Sequence, residues 1–369
     1  MDDIDRRLLS LLEQGIPIQL QPYDALAKKI GMDVADLLLR ISTMKADGVI
    51  RQISGIFDTR RLGYQFALGA MSLPAEIVEY GENIIFDHPG VGFVCRRPHE
   101  FNVWFSLYVP PMTLAEDHMH RLHMLSGSHR TLLLPAIRCF KSGATACAAD
   151  EVWENEREHE TDDRVPSRVI LPDLTPTDIE CIRVLQEDLP LVDEPFQKLA
   201  EGLKLGEVAF LQLLRGLVQR GYLRRMAAVV PFRRARAVSG ATIAWQVPQE
   251  RRQEVGKGIA SNPEVCGCCQ RATYPDFPYS IYAVVRSGER DECEALAREI
   301  GSKVGFWPHV ILTNLSERKK GRLKYFDEGL DAWWDRTRKG LQPVFSFMGE
   351  VRSEQDTDKD QDVVDSLME

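Results

Sequence analysis

Apolar residues recur every three to four positions over residues 3–14, 23–30 and 34–46, which predicts three short helices. Pro22 opens the second helix, Gly31 closes it, and Asp47-Gly48 ends the third. The stretch VIRQISGIF that follows reads as a β-segment, so residues 1–62 are expected to form a winged helix-turn-helix. The hydrophobic period then changes. QFALGAMSL, VGFVCRR, NVWFSLYV and RTLLLPAIRCF read as strands, with helices at 76–86 and 114–125 between them. That β-α-β-β-α-β order predicts a ferredoxin-like domain over 63–145.

The pattern then returns. Residues 5–51, moved forward by 173 positions, fall on 178–224 without a gap. Asp5 lands on Asp178, Pro17 on Pro190, Pro22 on Pro195, Leu38 on Leu211, Gly48 on Gly221 and Arg51 on Arg224. Helices are expected at 176–187, 196–203 and 207–219, and YLRRMAAVV completes a second winged helix-turn-helix over 173–236. ATIAWQV, a helix at 251–260, VCGCCQR, YSIYAVV, a helix at 292–301 and HVILTNL give a second ferredoxin-like domain over 237–328. The fold class is therefore α+β, a tandem duplication. Residues 146–172 read as an acidic linker. Residues 329–369 read as a C-terminal extension, disordered at its end, with a helix around Trp333-Trp334. A chain that carries its own partner behaves as an internal pseudo-dimer with one shared interface, and any further oligomer is left open.

Composition narrows the picture. The 369 residues carry a net charge of −9, but residues 150–163 hold eight acids and one base, and 350–369 hold eight acids and two bases. The remainder is mildly basic, at +4, which suits a small anionic ligand better than a nucleic-acid backbone. No apolar run approaches the roughly 18–20 residues that cross a bilayer. The charged, helix-patterned start MDDIDRRLLSLLEQ is unlike a signal peptide, and eight dispersed cysteines do not make a disulfide framework; a reduced cytoplasmic setting is expected.

A winged helix joined to a ferredoxin-like domain is the plan of the Lrp/AsnC regulators. The chain resembles one branch of that plan, the sirohaem decarboxylases, including versions in which two related subunits are fused. The residues that carry the resemblance are GVIRQISGIFDTRRLGY and CRRPHEFNVWFSLYVP in the first half, and YLRRMAAVVPFRR, CCQRATYPDFPYSIYAVV and SERKKGRLKYF in the second. The resemblance implies loss of CO2 from two acetate side chains of sirohaem, giving didecarboxysirohaem on routes to protohaem or d-type haem. It implies no cofactor beyond the iron carried by the substrate. Relatives often carry a His in the strand leading to the arginines; here those positions are Phe93 and Gly267, which leaves the axial iron ligand open.

The chemistry asks for guanidinium groups, because Arg grips carboxylates in two-pronged fashion and keeps its charge when buried. Candidate substrate-binding residues are Arg51, Arg97, Arg224, Arg225, Arg271, Lys320 and Arg322, with Arg96 and Arg138 beside them. Arg97 and Arg271 occupy matching positions in the two repeats. Decarboxylation of a pyrrole acetate also needs a proton delivered to the ring carbon, the usual work of a histidine. His99 follows Arg97 by two residues, so an extended strand would point both to one face. Tyr274 and His309 are further candidates for proton donation. His118, His120, His123 and His129 read as a solvated helix face rather than a metal site, and Cys266, Cys268 and Cys269 as thiols filling a strand. No resident metal site is expected.

Two other readings remain at this level. An Lrp-type transcription regulator would need basic or amide residues at the start of its recognition helix, yet the sequence offers Met32-Asp33-Val34-Ala35-Asp36 and Gly206-Glu207-Val208, so nucleic acid is disfavoured. A non-catalytic haem-binding sensor or carrier would use the same pocket and differ only in lacking turnover.

Overall fold

In a computed structural model, residues 1–141, 172–230, 240–319 and 323–338 are described. The chain divides into Met1–Asp331 and a second unit from Ala332 onward. Lys320 and Arg322, all of the expected linker 146–172 except Pro172, and the expected disordered end beyond 338 lie outside the described residues.

Helices α1 (Asp3–Gln14), α2 (Pro22–Ile30) and α3 (Val34–Ala46) form where the apolar period places them. Asp2 accepts a hydrogen bond from the Asp5 amide and starts α1, whose Leu8 and Leu12 turn one buried face inward. Gly48 (φ +66) makes the left-handed turn after α3, and its repeat partner Gly221 (φ +77) makes the same turn in the second half. Strand β1 (Gln52–Phe57) is the wing. The ferredoxin-like part of repeat 1 comprises β2 (Gln65–Ser72), α4 (Val78–Asp87), β3 (Val91–Arg96), β4 (Val103–Val109), α5 (Ala115–Ser126) and β5 (Arg130–Lys141).

Repeat 2 follows the same order. Its helices are α6 (Pro176–Leu185), α7 (Pro195–Gly202) and α8 (Glu207–Gln219), and its wing is β6 (Leu223–Val229). Then come β7 (Ala241–Trp245), α9 (Arg252–Ala260), β8 (Val265–Arg271), β9 (Ile281–Val285), α10 (Arg290–Val304) and β10 (His309–Leu312). One strand was not legible in the pattern. Where HVILTNL reads as a single strand, the chain ends β10 at Leu312 and starts another, β11 (Ser316–Lys319). Helix α11 (Glu328–Arg338) covers the expected Trp333-Trp334 segment.

The duplication is used twice in the sheets. The two wings pair with each other: β1 runs antiparallel to β6, with Gln52 opposite Val229 and Gly55 opposite Met226. The helical parts behind them share one apolar cluster, in which Leu8, Leu12 and Ile41 of repeat 1 join Ile182, Phe196 and Leu214 of repeat 2. The remaining strands form one sheet in the order β10-β7-β9-β8-β5-β2-β4-β3-β11. Within each repeat this is the ferredoxin-like order. Across repeats, β5 leaves β2 to pair with β8, while β11 pairs with β3. Because β10 and β11 are consecutive in the chain, the two ends of the sheet are tied by three residues, 313–315. The strands therefore close into a ring.

Side chains alternate across that ring. Ala244, Cys266, Cys269, Tyr282 and Val284 join Trp104, Leu132 and Leu134 in an inner cluster built by both repeats. Ile243, Trp245 and Cys268 face the other way and pack with Val255 and Ile259 of α9 and Cys293 and Ala297 of α10. Cys268 and Cys269 thus face opposite sides, as expected for strand neighbours, but Cys266, expected as a thiol, is disulfide-bonded.

Candidate functional site

The inner face is where the two repeats meet, and both matched arginines are buried there. Arg97 follows the last residue of β3 and Arg271 ends β8; each backbone N–H donates to a carbonyl at the start of the next strand, Asn102 and Ser280, at 2.9 Å. Each guanidinium then lies over an aromatic ring two residues further on, Trp104 at 4.8 Å and Tyr282 at 5.9 Å. Arg97 is 8 % exposed and Arg271 fully buried. A buried cation is costly unless partnered, so two of them in one apolar cluster mark a place with a task.

The two loci differ in what faces the arginine. Arg97 Nη2 donates to Thr242 Oγ1 across the repeats at 3.2 Å. Its Nε and Nη1 are buried with no hydrogen-bond partner among the described residues. Beside it lies a cavity of about 30 Å³ bordered by Phe93, Cys95, Gly240, Thr242, Asn314 and Glu317. Burial pushes the Cys95 thiol up, and the Arg97 charge opposes that shift. Arg271 Nη1 instead donates to the Leu134 carbonyl at 2.8 Å. The registers identify the equivalent positions: Ala244 opposes Tyr282 as Ala70 opposes Trp104, so Leu68 stands where Thr242 stands and Phe66 where Gly240 stands. Where the Arg97 locus has Thr242 and Gly240, with Phe93 and Val284 also at its cavity, the Arg271 locus has Leu68 and Phe66.

His99 lies in the turn after Arg97. The strand ends at Arg96, and His99 N–H donates back to the Arg97 carbonyl at 2.9 Å, so the two are brought together by a tight turn and not by strand alternation. The ring is half-buried, 5.4 Å from Phe277 and stacked 6.1 Å from Phe101. The Phe101 N–H donates to His99 Nδ1 at 3.0 Å, which leaves the proton of the neutral ring on Nε2. Burial, then the charges of Arg97 and Arg130, hold its pKa below the usual histidine value. Arg130, which no sequence motif singled out, opens β5, pairs with Glu100 and Asp276, and lies 5.1 Å over Phe101.

Other expected residues fall elsewhere. Tyr274 is in the β8–β9 connection and its hydroxyl is committed to the β5 backbone, donating to Leu133 O at 2.8 Å and accepting from Leu133 N at 3.2 Å. Its donor is spent on holding the repeats together. His309 is on the helix side of the sheet: it opposes Trp245 and pairs with Glu294 of α10 at 3.3 Å, so it cannot reach the inner face. Arg51 is exposed, Arg224 reaches Asp58 at 3.3 Å, and Arg225 donates to the Glu13 carbonyl, all on the wing sheet. Arg96 turns outward to Glu82 of α4. The structure brings together Arg97, Arg271 and His99, and leaves the wing arginines and His309 outside.

Two further expectations are corrected. The helix at 114–125 is not a solvated histidine face, since His118 is buried and hydrogen-bonded to buried His88 at 2.9 Å. No group of three or more metal-ligating side chains occurs among the described residues. Among the described residues the middle of the inner face is filled. Phe277, from the longer connection of repeat 2, is fully buried and lies within 5.7 Å of Phe101 and Trp104 and 4.9 Å of Tyr279. A ligand the size of a tetrapyrrole needs several hundred Å³, far above the cavity at Arg97. That cavity is bordered by Gly240 and Glu317, next in the chain to 231–239 and near 320–322, which are outside the described residues.

Comparison with known proteins agrees with the duplication. Residues 5–51 and 178–224 each match a "Siroheme decarboxylase NirDL-like HTH domain" model, and 61–141 and 238–319 each match an "AsnC-like ligand binding domain". A siroheme decarboxylase of Hydrogenobacter thermophilus is 32 % identical over 89 % of this chain and 96 % of its own length. The siroheme decarboxylase NirDL subunit of Paracoccus denitrificans is 26 % identical over 85 % of this chain and 94 % of its own. A crystal structure of the siroheme decarboxylase NirDL in co-complex with an iron-uroporphyrin III analogue superposes with a TM-score of 0.75 at 29 % identity, covering 92 % of this chain and all of that one.

Proposed function

The chain belongs to the sirohaem decarboxylase family, and we propose that it removes CO2 from two acetate side chains of sirohaem to give didecarboxysirohaem, a step towards protohaem or d-type haem. The observation that carries the reading at the site is Arg97: a buried guanidinium with two N–H edges that find no partner among the described residues, beside a small cavity that Thr242, Asn314 and Glu317 share with Phe93 and Val284. A carboxylate supplies what those edges lack, charge and two acceptor oxygens in one plane.

His99 is the proposed proton donor. Burial and the Arg97 and Arg130 charges lower its pKa and favour the neutral ring. A substrate ringed by carboxylates brings negative charge to those cations, which reverses the electrostatic part of the shift and favours a protonated ring once Nδ1 turns away from the Phe101 N–H. The C–C bond to the carboxylate breaks, CO2 leaves, the bonding electrons pass into the π-system of the ring, and His99 gives its proton to the exocyclic carbon, which becomes a methyl group. Iron comes with the substrate, and the chemistry requires no resident cofactor. Arg271, tied to Leu134, holds the seam between the repeats. Aromatic residues Phe101, Trp104 and Phe277 offer the apolar surface a macrocycle requires, with Phe277 shifting to admit it.

The test is turnover. Purified protein incubated anaerobically with sirohaem is expected to yield species lighter by one and then two CO2, resolved by chromatography and mass spectrometry. Tight binding with no loss of CO2 would make the chain a haem carrier.

A further inference from the structure

Two cysteines face each other where the repeats join. Cys139 of β5 and Cys269 of β8 are register partners, and their sulfurs are 2.8 Å apart. Both are thiols; Cys139 is half-buried and Cys269 fully buried. Directly opposed residues of an antiparallel pair have Cα atoms about 4.5–5.5 Å apart, inside the range a disulfide spans. The other seam carries no such pair, since Cys95 there opposes Glu317. Cys268 is no competitor, because it faces the α9–α10 side of the sheet.

We propose that Cys139 and Cys269 form a reversible redox pair that covalently ties repeat 1 to repeat 2. The oxidant is a peroxide. The half-buried Cys139 sulfur attacks one peroxide oxygen; the O–O bond breaks, one water leaves, and Cys139 becomes a sulfenic acid. The Cys269 sulfur, already adjacent, attacks that sulfur; the S–S bond forms, the S–O bond breaks, and a second water leaves. Two thiols are oxidised by two electrons and the peroxide is reduced to two waters. A dithiol reductant reverses the step through a mixed disulfide. The bridge closes a loop of 130 residues, which restricts the unfolded chain strongly, and it pins one of the two seams of the ring.

The test needs no substrate, so its outcome is independent of decarboxylation. The full chain is treated with stoichiometric hydrogen peroxide, remaining thiols are blocked, and the protein is digested without reductant. The expected result is a peptide pair joining Cys139 to Cys269, a mass lower by two hydrogens, and a Tm higher by about 5 °C that dithiothreitol reverses. Cys139→Ser is expected to remain folded by circular dichroism and to lose both the linked peptide and the Tm rise. Over-oxidation of Cys139 without the link, or a link from either cysteine to a different one, would overturn the proposal. So would a link that leaves Tm unchanged.

Discussion

Arg97 and Arg271 occupy one position twice, each over the aromatic ring of the neighbouring strand, yet Arg97 meets Thr242 beside a cavity while Arg271 is bound to the Leu134 carbonyl. Duplicated geometry has acquired two uses. Removing each arginine should therefore do different things. Arg97→Ala is expected to weaken substrate binding by about tenfold to a hundredfold, with Tm nearly unchanged, because it takes away an unsatisfied charge. Arg271→Ala should cost roughly 1.5–3 kcal/mol of stability through the lost charged hydrogen bond. Absorption titration with sirohaem and thermal melts separate the two.

Thr242 tests what distinguishes the loci. Thr242→Leu places at the Arg97 locus the residue type that Leu68 supplies at the other. It removes the contact to Arg97 Nη2 and fills part of the cavity beside that arginine. The expected outcome is a folded protein with turnover reduced at least about tenfold. Unchanged turnover would mean that the lining of the Arg97 locus does not matter to the reaction.

His99→Ala and Tyr274→Phe make a contrasting pair. Loss of a general acid typically costs about 10²–10⁴-fold in rate, so His99→Ala should retain binding and lose kcat by that order. Tyr274→Phe removes the donor to Leu133 O and should cost about 1 kcal/mol of stability, leaving kcat close to wild type. A large kcat loss in Tyr274→Phe with His99→Ala unaffected would exchange their roles.

The buried His88–His118 pair predicts acid sensitivity. Gly90 N–H donates to His88 Nδ1, so His88 donates from Nε2 to His118 Nδ1, and His118 Nε2 lies 3.3 Å from Thr113 Oγ1. Burial lowers the His118 pKa to about 4, which holds its ring neutral near pH 7. Unfolded histidine titrates near 6.5, so between those values the unfolded chain binds a proton that the folded chain does not. Stability should be unaffected by this group above about pH 6.5 and fall as pH drops towards 4, by roughly 2–3 kcal/mol at most. Urea titrations across that range are expected to show the loss. In His118→Asn the slope with pH should be shallower, even though the variant is less stable overall.

Local pattern carried far in this chain. The apolar period placed α1 and α3 on residues 3–14 and 34–46, and both ferredoxin-like orders were legible from alternation and turn signals. The matching of Arg97 with Arg271 followed from the repeat alone. What escaped were relations set by tertiary pairing. Strand β11 is four polar residues, Ser-Glu-Arg-Lys, and has no apolar alternation of its own; it is a strand because β3 offers it an edge. Strand spacing alone predicts His99 and Arg97 on one face, but Pro98 and the turn end the strand at Arg96, before either residue. His309 could be assigned to a face only once its opposite residue, Trp245, was known. Arg130 and Thr242 are distant in sequence from every motif: Arg130 reaches the site because β5 lies in the same sheet as β4 and sets it over Phe101, and Thr242 because the two repeats meet.

The measurement that bears most directly on the site is a crystal structure of the protein with sirohaem or an iron-uroporphyrin analogue bound. A carboxylate of the ligand is expected within hydrogen-bond distance of Arg97 Nε and Nη1, with His99 Nε2 facing the rim carbon that carries an acetate and Phe277 displaced from its present place. A macrocycle seated on the wing arginines Arg51, Arg224 and Arg225, with Arg97 still sealed behind Phe93 and Thr242, would contradict that assignment.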